Sequence, residues 1–270
     1  MTSKLKLTAR QIRKDIISMT HNAGSGHPGG SLSAADIVTA LYFEVMHLNP
    51  KKPKWPDRDR FIMSKGHCCS AQYAAMARRG FFPAEELMTY RKLGSRLQGH
   101  PDMVKFPMLE ASTGSLGQGL SIAVGLALGL TLDKSSSRVY CMLGDGELEE
   151  GQIWEAVMSA AHFKLDNLCA IVDANRLQQI GFNKDIKDLQ PISEKFSMFG
   201  WNSLEIDGHD FKEILAAFER AAKTKAKPTV IIAHTIKGKG ISFMENTKEW
   251  HGKAPDKEQF AKAMKELEDG

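Results

Sequence analysis

Five short apolar runs alternate with helix-like segments, and this alternation restricts the fold more than any other feature of the chain. The runs are RFIMS at 60–64, RVYCML at 138–143, NLCAIVDA at 167–174, and two further stretches at 202–206 and 228–233. Runs apolar on both faces, separated by helices, predict a mainly parallel sheet covered by helices on both sides. Helical periodicity is clearest at 7–21, where Leu7, Ile12, Ile16, Ile17 and Met19 share one face. A second helix is expected over 33–46, with Asp36 in its first turn, and an alanine-rich one ends near Arg79. Residues 118–132 are expected to form a buried helix, its small residues Gly119, Ala123, Gly125, Ala127 and Gly129 allowing close packing. Helices are also expected at 152–163 and 211–222, with a polar helical tail from Asp256. The proline-rich stretch 48–59 and the glycine-containing stretch 94–117 are expected to be loops. A structureless loop as long as the second is usually functional.

The 270 residues are 42% hydrophobic and 25% charged. That composition and length fit one α/β domain with no internal repeat and no dividing linker. The net charge of +4 is spread without a dense basic block, which argues against nucleic acid as a partner. No apolar stretch reaches the ~20 residues of a membrane helix. The start, MTSKLKLTAR, has no apolar core of a signal peptide. Cys68, Cys69, Cys141 and Cys169 lack zinc-like spacing, so buried reduced thiols and a cytoplasmic location are expected.

In parallel sheets ligands sit at the carboxyl ends of the strands. The turn GDGELEEG lies at such an end, after RVYCML, and Asn175 lies just past the next strand. Asp-Gly alone is an ordinary turn dipeptide. This turn, however, joins a strand to a helix, where an amino terminus and close glycine approach favour phosphate. A hard cation such as magnesium takes carboxylate, amide, carbonyl and phosphate oxygens together. Gly24, Gly26 and Gly29 match the dinucleotide spacing G-x-G-x-x-G, but they follow a helix rather than a strand, so a Rossmann site is rejected. No Walker lysine motif and no HExxH occur.

A GDG turn, then a helix and strand ending in Asn, resembles the thiamine-diphosphate-binding pattern. The words SGHPGGSLSAAD, SKGHCCSAQYA, GHPD, STGSLGQGLSIAVGLALG, GDGELEEGQIWEA and VDANRLQQIG all resemble transketolase, in transketolase order. The likeness runs from about Ser25 to Gly181 and resumes at HTIKGKG and at His251-Gly252. It covers the amino-terminal, diphosphate-binding domain of that family. The resemblance implies a thiamine-diphosphate-binding fold and a two-carbon ketol transfer from a ketose, expected to be a sugar phosphate of the pentose phosphate pathway, to an aldose.

It also implies roles for residues. Asp145, the Asn175 side chain and the Leu177 carbonyl would hold magnesium, or calcium or manganese in its place. Gly146 would offer its amide to the diphosphate, and Gly114 and Leu116 would line the thiazolium. Glu150 resembles a buried glutamate that joins paired subunits near the cofactor. His67 and His251 would stand by the diphosphate and the entry channel. His27 and His251 resemble residues proposed to move protons on sugar hydroxyls. His100 resembles the contact to the donor's C1 hydroxyl. Neutral imidazoles suit such work because their ordinary pKa of ~6.5 lies near working pH. His21, His47, His162, His209 and His234 are expected to be structural or solvated, and Glu147 and Glu149 solvated. Lys237 and Lys239 are equally open to phosphate contact or to a mobile loop.

The family's pyrimidine-binding and carboxyl-terminal domains are missing from 1–270. A separate polypeptide or a fragment would each account for that. The polar tail ending at ELEDG predicts a natural end, hence a split enzyme assembled as two copies of each chain. Two other functions stay open. One is a different thiamine enzyme subunit, of the deoxyxylulose-phosphate synthase or 2-oxo-acid dehydrogenase kind, against which the four histidines argue. The other is a non-catalytic partner, against which the metal ligands argue.

Overall fold

The computed structural model describes residues 2–269. The five apolar runs form strands β1 (Arg60–Met63), β2 (Val139–Gly144), β3 (Leu168–Ala174), β4 (Asn202–Asp207) and β5 (Thr229–His234). They pair in the order β1-β2-β3-β5-β4, every neighbour parallel. β3 is central and wholly buried, which is why its sequence is apolar without alternation.

Helices cover both faces. α1 (Thr2–Ala23), α2 (Pro28–Ala40) and α3 (Cys69–Arg79) pack with α8 (Phe211–Lys223) and α9 (Lys257–Asp269) around one apolar cluster. α4 (Gln118–Leu132), α5 (Gly151–His162) and α7 (Ile192–Met198) bury the other. α6 is a single turn, Asn183–Ile186. No helix among the described residues is long and apolar enough to cross a membrane.

Two expectations need correction. The second helix begins at Pro28, not at residue 33, so half of the glycine-rich stretch is helical. Proline at the first position tolerates the missing N–H there. The glycines allow contact rather than a loop: a Cβ at Gly29 would lie 2.8 Å from the Trp250 carbonyl oxygen, and one at Gly30 2.8 Å from Cys68 Sγ. Asp36 therefore sits in mid-helix, and it is held there by Arg13 and His209 at 2.6 and 2.7 Å. The His209 Nε2 accepts from the Ile236 amide, so this imidazole is structural. Burial raises the Asp36 carboxyl, but Arg13 and His209 outweigh it and hold the pKa at about 2.

The second correction concerns α4. It buries Gly119, Ala123 and Ala127, but Gly125 and Gly129 have open space around them, and Leu132 is exposed. The helix is apolar on a side that this chain leaves uncovered. All four cysteines are free and buried, as their sequence context predicts.

Candidate active site

Because the strands are parallel, their carboxyl ends share one edge, and the segments following β1, β2, β3 and β5 meet there. Gly144 pairs with Asp173 in the ladder, which places the GDG turn against the Asn175 loop. Asp145 is 6% exposed. Its Oδ1 accepts from the Gly146 amide at 2.9 Å and its Oδ2 from the Arg176 amide. The Asn175 Oδ1 accepts from the Leu177 amide at 3.1 Å. Burial, with the Asp173 charge adding to it, pushes the Asp145 carboxyl above its ordinary pKa. A divalent cation would offset that cost.

Asp145, Gly146, Asn175 and Leu177 line one cavity of about 200 Å³ with Gly30, Lys65, His67, Leu116, Lys237 and His251. Among the described residues no three His, Cys, Asp or Glu side chains converge as a metal cluster. The oxygen set at hand is one carboxylate, one amide and one carbonyl, which leaves a hard cation open to phosphate oxygens. Gly146 suits close approach, since a Cβ there would lie 2.9 Å from Gln178 Cγ. The residues present thus fit a cation with a diphosphate.

Lys65 and Asp173 form an ion pair beneath this cavity, 1% and 0% exposed. Lys65 also donates to the Gly30 carbonyl, and Ser33, Thr235 and Asn175 donate to Asp173. Burial raises the Asp173 carboxyl, but Lys65 and these hydroxyls outweigh it and keep its pKa below the ordinary value. Lys237 is also buried, and its ammonium donates to the Leu177 carbonyl at 2.8 Å and lies 2.9 Å from His251 Nδ1. Burial lowers its pKa to about 8. It lies in an ordered contact network, which removes the mobile-loop alternative.

The four singled-out histidines gather in one place. The His27 ring lies 5.4 Å from His67, 5.8 Å from His100 and 5.5 Å from His251, and His67 stacks on His251 at 5.1 Å. Burial is the first cause of low pKa throughout. His27 falls to about 4 with Arg91 adding to the effect, and His251 to about 3 with Lys237 adding to it. His67 and His100 are lowered as well. These imidazoles are therefore neutral well below pH 7, rather than poised near it as the ordinary value predicts.

Three sequence expectations shift. Gly114 backs His100 rather than lining the cavity: with φ at +134°, a Cβ there would lie 2.7 Å from the His100 ring. Glu150 is exposed in this chain, its Cβ 2.9 Å from where a Gly117 Cβ would stand. Glu147, expected in solvent, is 2% exposed. It accepts from Ser64 Oγ and from the Gly117 and Gly144 amides, and so ties three loops together. Glu149 is partly buried against Gln178. The other five histidines lie apart from the cluster. His21 stacks on Phe260, and His234 bonds Glu205 at the surface.

Sequence reasoning missed Lys65, Asp173 and Arg91. The available signal for Asp173 was a carboxylate inside an otherwise apolar strand, since a buried charge requires a partner.

A parallel sheet with an acid-amide-carbonyl cradle and buried cations at its strand ends defines a diphosphate-binding α/β domain of the thiamine-diphosphate class. Comparison with known proteins is specific. The family described as "Transketolase, thiamine diphosphate binding domain" matches residues 4–268. One of the two subunits of apulose-4-phosphate transketolase from Phocaeicola vulgatus is 42% identical over 263 residues, 97% of this chain and 93% of that protein. The 6-deoxy-6-sulfo-D-fructose transketolase subunit SqwG of a Clostridium species is 44% identical over 264 residues, 98% of this chain and 96% of that protein. Among solved structures, transketolase from Leishmania mexicana superposes with a TM-score of 0.92 at 32% identity, over 98% of this chain and 41% of that one. Transketolase from Campylobacter jejuni gives 0.91 at 35%, over 98% and 42%. The chain thus spans about two fifths of the solved transketolases it matches. It belongs to the transketolase family and corresponds to that family's thiamine-diphosphate-binding domain.

Proposed function

We propose that this chain is the diphosphate-binding subunit of a two-chain transketolase, which passes a two-carbon ketol unit from a ketose to an aldose. The observation that carries the reading is the placement of four neutral histidines beside a cavity built for a metal-bound diphosphate. Subunit-sized relatives named for ketol transfer support it. When bound, thiamine diphosphate supplies the carbanion-stabilising chemistry. Asp145, Asn175 and the Leu177 carbonyl hold the cation, with magnesium as the first choice. Lys65 and Lys237 add positive charge around the diphosphate, and the Gly146 amide faces it. Leu116 closes the apolar side. His27, His67, His100 and His251 bind and orient the polyhydroxylated substrate and handle protons at its oxygens.

The pyrimidine-binding half belongs to a partner chain. The open apolar side of α4, the exposed Met158 and Phe163, and the exposed Glu150 beside Gly117 form the surface that this partner covers. Two-fold pairing then gives an assembly of two copies of each chain. The substrates are ketose donors whose distal group, phosphate or sulfonate, is read mainly by the partner. The setting is the cytoplasm.

His100→Ala tests the substrate reading within this assembly. The expected result is a loss of about 1–3 kcal/mol of transition-state stabilisation for ketose donors. A 2-keto-acid donor lacking the hydroxymethyl group should be spared. Steady-state kinetics with both donor types decide it, and equal losses would make His100 a structural residue.

A further inference from the structure

We propose that Arg91 is a positioning residue that fixes His27 in one tautomer, with its proton on Nε2, so that His27 meets the substrate as a hydrogen-bond donor. The inference rests on the ketol-transfer reading only for what His27 meets; the tautomer follows from the chain's own geometry.

The Arg91 guanidinium is held on every side. Its Nε donates to Tyr90 Oη at 3.2 Å and its Nη1 to Ser25 Oγ at 2.7 Å. Its Nη2 lies 3.4 Å from the Gly99 carbonyl oxygen and 3.2 Å from His27 Nδ1. A guanidinium has five donors and no acceptor, and it stays charged in proteins. The His27 Nδ1 facing it must therefore accept, and the single proton of the neutral ring sits on Nε2. A proton on both nitrogens would turn an N–H toward a cation. Burial and the Arg91 charge accordingly keep the ring neutral down to about pH 4.

The chain goes to some length to place this cation. Arg91 has a φ of +58°, a left-handed conformation that is uncommon outside glycine. Its amide donates to the Leu97 carbonyl at 2.9 Å, which closes the turn. Gly99 leaves room for the guanidinium, since a Cβ there would lie 2.6 Å from Arg91 Nε. The glycine before His100 in GHPD is thus explained by Arg91. His27 itself is the residue that caps α2, so its backbone is fixed too. The Nε2 edge looks away from Arg91 toward Gly252, 3.9 Å from where a Cβ there would stand.

The functional consequence differs from that of a resting base. An Nε2 that carries a proton has no lone pair to take one. In the resting state His27 donates its N–H to a substrate oxygen, and proton removal at that oxygen falls to another group.

Two readouts test this. The first is nitrogen-15 NMR of histidine-labelled chain in its assembled complex, with His27→Gln identifying the signal. The expected result is a protonated Nε2 and an unprotonated Nδ1 in the wild type. A proton on Nδ1 would overturn the proposal, and this arm is independent of catalysis. The second is Arg91→Met, checked for folding by circular dichroism, with Arg91→Lys beside it. In Arg91→Met kcat falls about 10- to 100-fold, the loss typical when an orienting partner of a functional histidine is removed. Cofactor affinity stays unchanged. The charged and titratable groups around His27 are Arg91, His67, His100, His251 and Lys237. All oppose its protonation, so removing Arg91 raises its pKa. Activity that needs the neutral ring then fails at higher pH, and the acid limb moves up. Arg91→Lys, still a cationic donor, restores the tautomer and the acid limb. An unmoved acid limb and tautomer in Arg91→Met would refute the role. If the wild-type complex transfers no ketol unit, the functional reading fails while the NMR result still decides the tautomer.

Discussion

Asp145→Ala is expected to abolish metal-dependent binding of thiamine diphosphate while the domain stays folded. Asp145 is the single carboxylate of the cradle, and Asn175 and the Leu177 carbonyl are both neutral. Without it a divalent cation loses its one charged protein oxygen, and the diphosphate's negative charge is left poorly compensated. Losing an outer partner of a metal ligand costs about 10–100-fold in affinity, so losing the ligand itself should cost about 100-fold or more. The fold should survive, because the carboxylate is buried at a cost that burial and Asp173 already make evident in its raised pKa. Its hydrogen bonds run to two loop amides rather than into the core. Calorimetry on the assembled complex with magnesium and thiamine diphosphate measures the loss, and circular dichroism checks the fold. Wild-type affinity in the variant would remove Asp145 from the metal site.

Asp173→Ala should do the opposite and damage the fold. Asp173 lies in the central strand, fully buried, and neutralises Lys65, which is 1% exposed. Removing the carboxylate leaves an ammonium in the interior with the Gly30 carbonyl as its remaining acceptor. Ser33 and Thr235 lose their acceptor as well. Breaking a buried pair from one side typically costs about 3–5 kcal/mol, a large part of a domain's stability. Replacing Lys65 and Asp173 together by methionine and leucine should recover much of that stability, because no unpaired charge then remains. Cofactor binding should stay weak in the double variant, because Lys65 faces the cavity. Denaturant midpoints of the three proteins measure the effect. A near-neutral Asp173→Ala would mean that the pair contributes little to the fold.

The sheet is readable because each of its strands is an apolar run bounded by loop or helix signals. Parallel pairing follows from the absence of alternation in runs such as NLCAIVDA. The start of α2 is hidden because two glycines after a proline look like a loop. What keeps them helical is contact with Trp250 and Cys68, which are far away in sequence. The apolar composition of α4 correctly indicates burial, but part of that burial is left for another chain to supply. In the site, residues beside glycine in the recurring motifs are legible one by one. Their gathering is not, because it depends on four loops meeting at one sheet edge. The place of Glu147 between other acids suggests solvent, and only the approach of Ser64 and Gly117 shows what it holds. Arg91 carries no motif of its own. Its importance lies in a left-handed backbone and a space left by Gly99, neither of which a sequence window displays.

The central claim is that this chain holds one half of a ketol-transfer site and that a second chain holds the other. The direct measurement is an assay of the purified chain, alone and after mixing with a polypeptide that supplies the pyrimidine-binding half, with magnesium and thiamine diphosphate in excess. The account predicts no ketol transfer from the chain alone and its appearance on mixing, together with formation of an assembly containing both chains. Transfer at an ordinary enzyme rate by the chain alone, with no partner detectable by mass spectrometry, would contradict it.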